Sequence, residues 1–362
     1  MKPLKLIAMI SLVMLLLSAC TPNSVEAEKS SNADSQSESE KTVESVTEGE
    51  TENGAEVHKI KVMTTLFPQY DFAKIVGGDK VEVTLLLPPG VEAHSYEPTP
   101  QDIISIQESD LFVYTGEQME PWVHKMVENV KSDGLTIVDS SKGIELMMGH
   151  HHDHEGEDED HDHDAGDDDH DHDADSEDED HDHEGVDPHI WLDPVLAKTM
   201  VDNLTEGLIL VDPENEAYYQ QNADAYKLKL DELDNSFRAA FEKTDSKTII
   251  YGGHFAFGYF AKRYGLENIS PFEGFSPDAE PTPAKIAELI ENLKKAGTHY
   301  IFYEELVDPK IARIISEETG AEMLLLHGAH NVSKEERESG ITYIEIMQQN
   351  LENLKIGLGY HE

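Results

Sequence analysis

Apolar positions along this chain fall into two alternating rhythms from Val57 onward. The runs KIKVMTT (59–65), VEVTLLLP (81–88), LFVYTG (111–116) and LTIVDS (135–140) are rich in β-branched and aromatic residues and read as strands. Between them PQYDFAKIVGG (68–78), PTPQDIISIQESD (98–110) and PWVHKMVENV (121–130) space their apolar residues for helices. DPHIWLDPVLAKTMVDNLTEGLILVD (187–212) reads as mostly helical. The stretch that follows, from Pro213 to Lys243, has no internal Gly or Pro and predicts one long helix. The alternation then restarts with TIIYGG (248–253), HFAFGYFAKRYG (254–265, a helix), ENISPFEG (267–274, strand or loop) and PTPAKIAELIENLKKAG (281–297). THYIFYEE (298–305), DPKIARIISEETG (308–320), AEMLLLHG (321–328) and TYIEIMQQNLENLKIGLG (342–359) complete it.

Strand-helix alternation of this kind predicts parallel sheet covered by helices. The four residues Glu97-Pro98-Thr99-Pro100 return as Glu280-Pro281-Thr282-Pro283, each time opening a helix that leads into a strand. The expected fold is therefore α/β, with two similar (β/α) lobes: residues 57–212, a linking helix over 213–243, and residues 244–362. Ligands of open α/β sheets bind beyond the carboxyl ends of the strands, so the cleft between two such lobes is the expected site.

Three segments break the rhythm. Residues 1–20 carry Lys2 and Lys5, an apolar run from Leu6 to Leu17, and the ending Leu17-Ser18-Ala19-Cys20. The run is too short to span a membrane comfortably and fits a signal peptide. Its end matches a lipobox, predicting lipidation at Cys20, the only cysteine of the chain, and export. Residues 21–56 hold ten acids against two lysines and few apolar groups, predicting a disordered acidic linker between membrane and fold. Residues 149–185 are a second disordered expectation, a loop with twenty carboxylates and ten histidines: His150, His151, His152, His154, His161, His163, His170, His172, His181 and His183.

Charge narrows the partners. With 75 acids against 27 bases in 362 residues the chain carries −48, which argues against nucleic acid and for cations. One cysteine excludes intramolecular disulfides and thiolate metal clusters. His94 follows the strand VEVTLLLP in a Pro/Gly-bounded loop, His189 lies in DPHIW, and His254 directly follows TIIYGG. Glu304 and Glu305 close THYIFY. Each residue alone has an ordinary structural reading. Together they place three imidazoles and a carboxylate on the rim of one cleft, a donor set suited to Zn2+. His327 and His330, in LLLHGAHNVSKEE, read as loop histidines, with an accessory surface site as the alternative.

Taken jointly, the lipobox, VTLLLPPGVEAHSYEPTPQDI, VDPHIWLDP, HFAFGYFAKRYGL, SPDAEPTPAKI and the terminal helix make the chain resemble the zinc-specific solute-binding lipoproteins of bacterial ABC importers, the ZnuA type. The likeness covers almost everything from Lys61 onward. It implies lobes joined by a rigid helix, a zinc site at His94, His189 and His254, and a fourth ligand at Glu304, with Glu305 one residue away as the alternative. It also implies an ABC permease and its ATPase as partners, tethering to the membrane through Cys20, and a monomer. The histidines of 149–185 then become weak auxiliary zinc sites. Manganese members of the same cluster replace one histidine by glutamate, and His254 here favours zinc. A zinc-scavenging adhesin has the same fold, and a zinc metallohydrolase shares the three-histidine set. The expectation is transport and not catalysis, since no HExxH or similar motif supplies a base.

Overall fold

Two four-stranded parallel arrangements repeat the same strand order in the two halves of the chain. The computed structural model describes residues 59–129, 134–148, 185–272 and 281–362. The expectations for Cys20, the 21–56 linker and the ten histidines of the insert lie outside these residues, as does Glu280 of the second E-P-T-P. In the first half β1 (Ile60–Thr64), β2 (Val81–Leu85), β3 (Leu111–Tyr114) and β4 (Thr136–Asp139) form a sheet of order β2-β1-β3-β4, every pairing parallel. Helices α1 (Phe67–Gly77), α2 (Pro100–Gln107) and α3 (Trp122–Asn129) are the crossovers. In the second half β5 (Thr248–Ile250) pairs with β6 (Glu267–Ile269), and β7 (Tyr300–Tyr303) pairs with β8 (Glu322–Leu325). A parallel bridge from Tyr251 to Phe302 joins the two pairs. The resulting order, β6-β5-β7-β8, is that of the first half.

The repeated tetrapeptide does the same work in both copies. Thr99 is the N-cap of α2 and Thr282 the N-cap of α7 (Pro283–Ala296), each with proline at the first helical position. Thr99 also forms a capping box with Asp102.

Strand residues alternate between two apolar layers, as the period of two requires. Met63, Phe112 and Tyr114 point outward against α2 and α3, in a cluster with Ile106, Val123 and Met126. In the second half Ile250 and Ile301 point outward, with Leu289, Leu293 and Ile315. The inward faces share one core: Val62, Leu111 and Val113 lie in the same cluster as Ile249, Tyr251 and Phe302. Filling it are α4 (Pro194–Val211), α5 (Glu216–Phe241), α6 (Gly258–Tyr264) and α10 (Tyr343–Gly357). The 26-residue α5 is the expected long helix, and Tyr219, Ala223, Tyr226, Leu230, Leu233 and Phe237 form its buried stripe.

Two elements differ from expectation. HFAF is not helical: α6 begins only at Gly258, and the preceding residues run as loop so that Phe255 and Phe257 bury their rings. After α8 (Lys310–Thr319) and β8, SKEE belongs not to a loop but to the start of α9 (Lys334–Ser339). The Ser333/Glu336 capping box that starts it was readable as S-x-x-E. Among the described residues no helix is long and apolar enough to cross a membrane.

Candidate metal centre

Three imidazoles meet where the strand-end loops of both halves converge. Ligand nitrogens of His94, His189 and His254 lie within 4.8 Å of one another, the only such group of three among the described residues. Nε2 of His94 and Nε2 of His189 stand 3.0 Å apart, and the three ring centroids are 5.0–5.4 Å apart.

Each ring is delivered by loop backbone. His94 sits in the turn after β2, with Glu92 accepting its backbone N–H at 3.2 Å. That turn is bolted to the second half: Asn331 Nδ2 donates to the carbonyls of Pro88 and Val91, and Gly90 N to that of Val332. His189 precedes a short 3-10 turn, Ile190–Leu192, and is buried. Asp187 Oδ1 accepts its backbone N–H at 3.0 Å and lies 2.8 Å from its Nδ1. A carboxylate on Nδ1 puts the ring proton there and turns Nε2 toward the cleft as a ligand atom. Trp191 packs edge-on against the same ring at 5.3 Å, itself held by donation to the Gly328 carbonyl at 2.7 Å. His254 follows two glycines that let the backbone pass close by. A Cβ on Gly252 would lie 2.8 Å from the Cα of Ala312, and one on Gly253 would lie 2.7 Å from Glu304 Oε1.

Glu304 is not brought into the group of three. Its Oε1 accepts from the backbone N of His254 at 3.4 Å, and its Oε2 lies 3.9 Å from His254 Nδ1. It lies beside His254 but beyond hydrogen-bond distance of the ring, unlike Asp187 beside His189. Glu305 faces elsewhere. Its Oε2 accepts from Gly328 N at 2.7 Å, and its Oε1 lies 3.3 Å from Nδ1 of His327 and 3.2 Å from Nδ1 of His330. His327 is a structural residue, its main chain bonded in both directions to the Asn350 side chain. His330 is closer to the site. Its Nε2 is buried without a hydrogen-bond partner, 3.6 Å from Glu92 Oε2.

Burial sets the protonation states. It pushes His94 down to about 3, helped by the neighbouring His189, and pushes His189 down to about 3, helped by His330, so both are neutral imidazoles across the physiological range. Burial raises Asp187 to about 7, and burial together with Glu305 raises Glu304 to about 8. Neutral nitrogens framed by carboxyl groups form a site ready for a dication.

Sequence reasoning did not single out Asp187 or Glu92, and it read His330 as a loop histidine with an accessory surface site as the alternative. For the first two a signal existed, an acid two residues before each histidine in Glu92-Ala93-His94 and Asp187-Pro188-His189.

Comparison with known proteins shows the family. Residues 62–357 match the family model of the zinc-uptake complex component A, periplasmic (ZnuA). The chain is 41% identical over 300 residues to the high-affinity zinc uptake system protein ZnuA of Bacillus subtilis, covering 83% of this chain and 88% of that protein. It is 34% identical over 297 residues to the zinc-binding lipoprotein AdcA of Streptococcus pneumoniae, covering 82% of this chain and 55% of AdcA, so it spans about half of that longer relative. The crystal structure of the Zn(II)-bound ZnuA-like domain of the same AdcA superposes with a TM-score of 0.66 at 31% identity, over 83% of this chain and 99% of that one. Matched from β1 to the end of α10, the chain belongs to the ZnuA family.

Proposed function

We propose that this protein is the extracytoplasmic zinc-binding component of an ABC importer, taking up Zn2+ in the cleft and passing it to a permease driven by its ATPase. The observation that carries this is the convergence of three imidazoles, two of them held neutral by burial, on one point between the halves. Zinc is cargo here and not a catalytic centre. His94, His189 and His254 hold it. His330 is proposed to complete the set, its Nε2 being one of the buried nitrogens without a hydrogen-bond partner. Glu304, the fourth ligand expected from sequence, is proposed instead to steady His254 through that residue's backbone N–H. The nitrogen-rich set selects zinc over the harder Mn2+, which lies lower in the Irving–Williams order. Cys20 anchors a monomer to the outer face of the membrane, and residues 21–56 reach from the anchor to the fold.

The direct test is equilibrium competition of the purified mature protein with a chromophoric chelator, zinc against manganese. One tight zinc and weaker manganese are expected, and manganese bound as tightly as zinc would overturn the reading. Because zinc binds only the folded state, free zinc at 100 times Kd should stabilise the fold by about 2.7 kcal/mol.

Asp187→Asn keeps the size of the side chain but removes the charge that fixes His189. Zinc affinity is expected to fall by about 10- to 100-fold, the usual cost of losing such a partner. An unchanged Kd would mean that His189 needs no orienting carboxylate.

The insert is proposed to capture zinc weakly at repeated His-Asp-His triplets and to raise its local concentration near the cleft. Deletion of residues 149–185 should abolish the weak zinc equivalents in a calorimetric titration and spare the tight one. Loss of the tight site, or unchanged total stoichiometry, would contradict this role.

A further inference from the structure

We propose that Tyr259 is a positioning residue of the zinc site, fixing His189 and the base of the 149–185 insert to the second half of the chain; this rests on the zinc reading above. The segment from Asp187 to Asp193 carries His189 with only one 3-10 turn of its own, so its position is set by what grips it. Helix α6 grips both ends. Tyr259 donates its hydroxyl to the Asp187 carbonyl at 2.8 Å, and one turn later Arg263 pairs with the Asp193 carboxylate. The same Tyr259 oxygen accepts from Met147 N at 2.8 Å, while Asp187 N donates to Met147 O at 2.9 Å. Beside them Met148 and Val186 form an antiparallel bridge. One hydroxyl thus ties the two sides of the insert base to each other and to α6.

Asp187 is also the residue whose carboxylate orients His189, so fixing its backbone fixes the ring. Gly258 leaves the room that this carboxylate fills: a Cβ there would lie 2.2 Å from Asp187 Oδ2, so any larger residue would displace it. His254 lies five residues before Tyr259, which makes the path from one zinc ligand to the other short: His189, Asp187, Tyr259, His254. Burial raises the Tyr259 phenol to about 12, so it keeps the proton it donates.

Tyr259→Phe in the full mature protein tests this, with zinc affinity read by chelator competition and the His189 Nδ1–H signal read by NMR in the zinc-free protein. We expect about tenfold weaker zinc binding and an exchange-broadened Nδ1–H signal. Gly258→Ala, which strikes the carboxylate itself, should shift both readouts in the same direction and serves if Tyr259→Phe folds poorly. Tyr219→Phe is the control: it also removes a phenol hydrogen bond, to Asp212 at 2.7 Å, but on α5 away from the cleft. It should leave zinc affinity unchanged. A Tyr259→Phe Kd within twofold of a tight wild type, or equal weakening by Tyr219→Phe, would overturn the assignment. A wild type that binds no zinc would overturn the zinc reading and this proposal with it.

Discussion

Alanine at His94, His189 or His254 is expected to weaken zinc binding by about 100- to 1,000-fold each. The magnitude follows from a site of about 10–16 kcal/mol shared among four ligands, or roughly 2.5–4 kcal/mol per ligand. The three rings come from separate loops with separate anchors: Asn331 for the His94 turn, Asp187 for His189, and the Gly252-Gly253 passage for His254. Removing one ring therefore leaves the other two in place and an incomplete shell between them. His330→Ala should fall in the same range if it completes the set. Glu304→Gln should cost only about tenfold, as the loss of an orienting partner. The reverse ranking, with Glu304→Gln as damaging as a histidine deletion and His330→Ala neutral, would make Glu304 the fourth ligand. Chelator competition on the single variants reads this ranking directly.

The second large effect is on pH dependence, and it comes from the carboxyl groups and not from His94 or His189. His94 and His189 are pushed down to about 3 by burial, so they have no proton to lose between pH 5.5 and 7. Glu304 is raised to about 8 and holds its proton across that window in the zinc-free protein, while Asp187, raised to about 7, is a carboxylate above pH 7 and takes up a proton as pH falls below it. A dication in the cleft drives both to the carboxylate form, and those protons must leave. The sign is fixed: binding weakens as pH falls, by up to about tenfold per pH unit for each proton displaced. From pH 7 to 5.5 the combined loss should be on the order of several hundred-fold. Histidines at their ordinary pKa of about 6.5 would also weaken binding, so the direction alone does not discriminate. Glu304→Gln does. It should flatten the profile by removing one displaced proton, whereas a histidine-controlled profile would keep its slope in this variant.

Much of the architecture was legible because it rests on local rules. Strands and crossover helices followed from apolar spacing, and the E-P-T-P repeat marked two equivalent helix starts because Thr followed by Pro is both a cap and a first turn. The three histidines were legible for a similar reason, each standing in a loop at the mouth of the cleft. What surrounds them was not. The direction in which Glu304 points depends on how closely His254 passes it, which Gly253 permits and no periodicity encodes. His189 lies in the first half by sequence, yet Tyr259, Arg263 and the Gly328 carbonyl, which steady its segment, all come from the second. HFAF reads as helix by composition, but Phe255 and Phe257 are buried beside His254 on loop backbone, and α6 starts only at Gly258. Contacts between distant segments set these features.

Anomalous diffraction at the zinc edge from crystals of the zinc-loaded protein is the most direct measurement of the central claim. The account predicts a strong peak about 2.0–2.1 Å from a ring nitrogen of each of His94, His189 and His254, with Asp187 still bonded to His189 Nδ1. A tightly bound zinc elsewhere, or one that leaves any of these three rings uncoordinated, would contradict it.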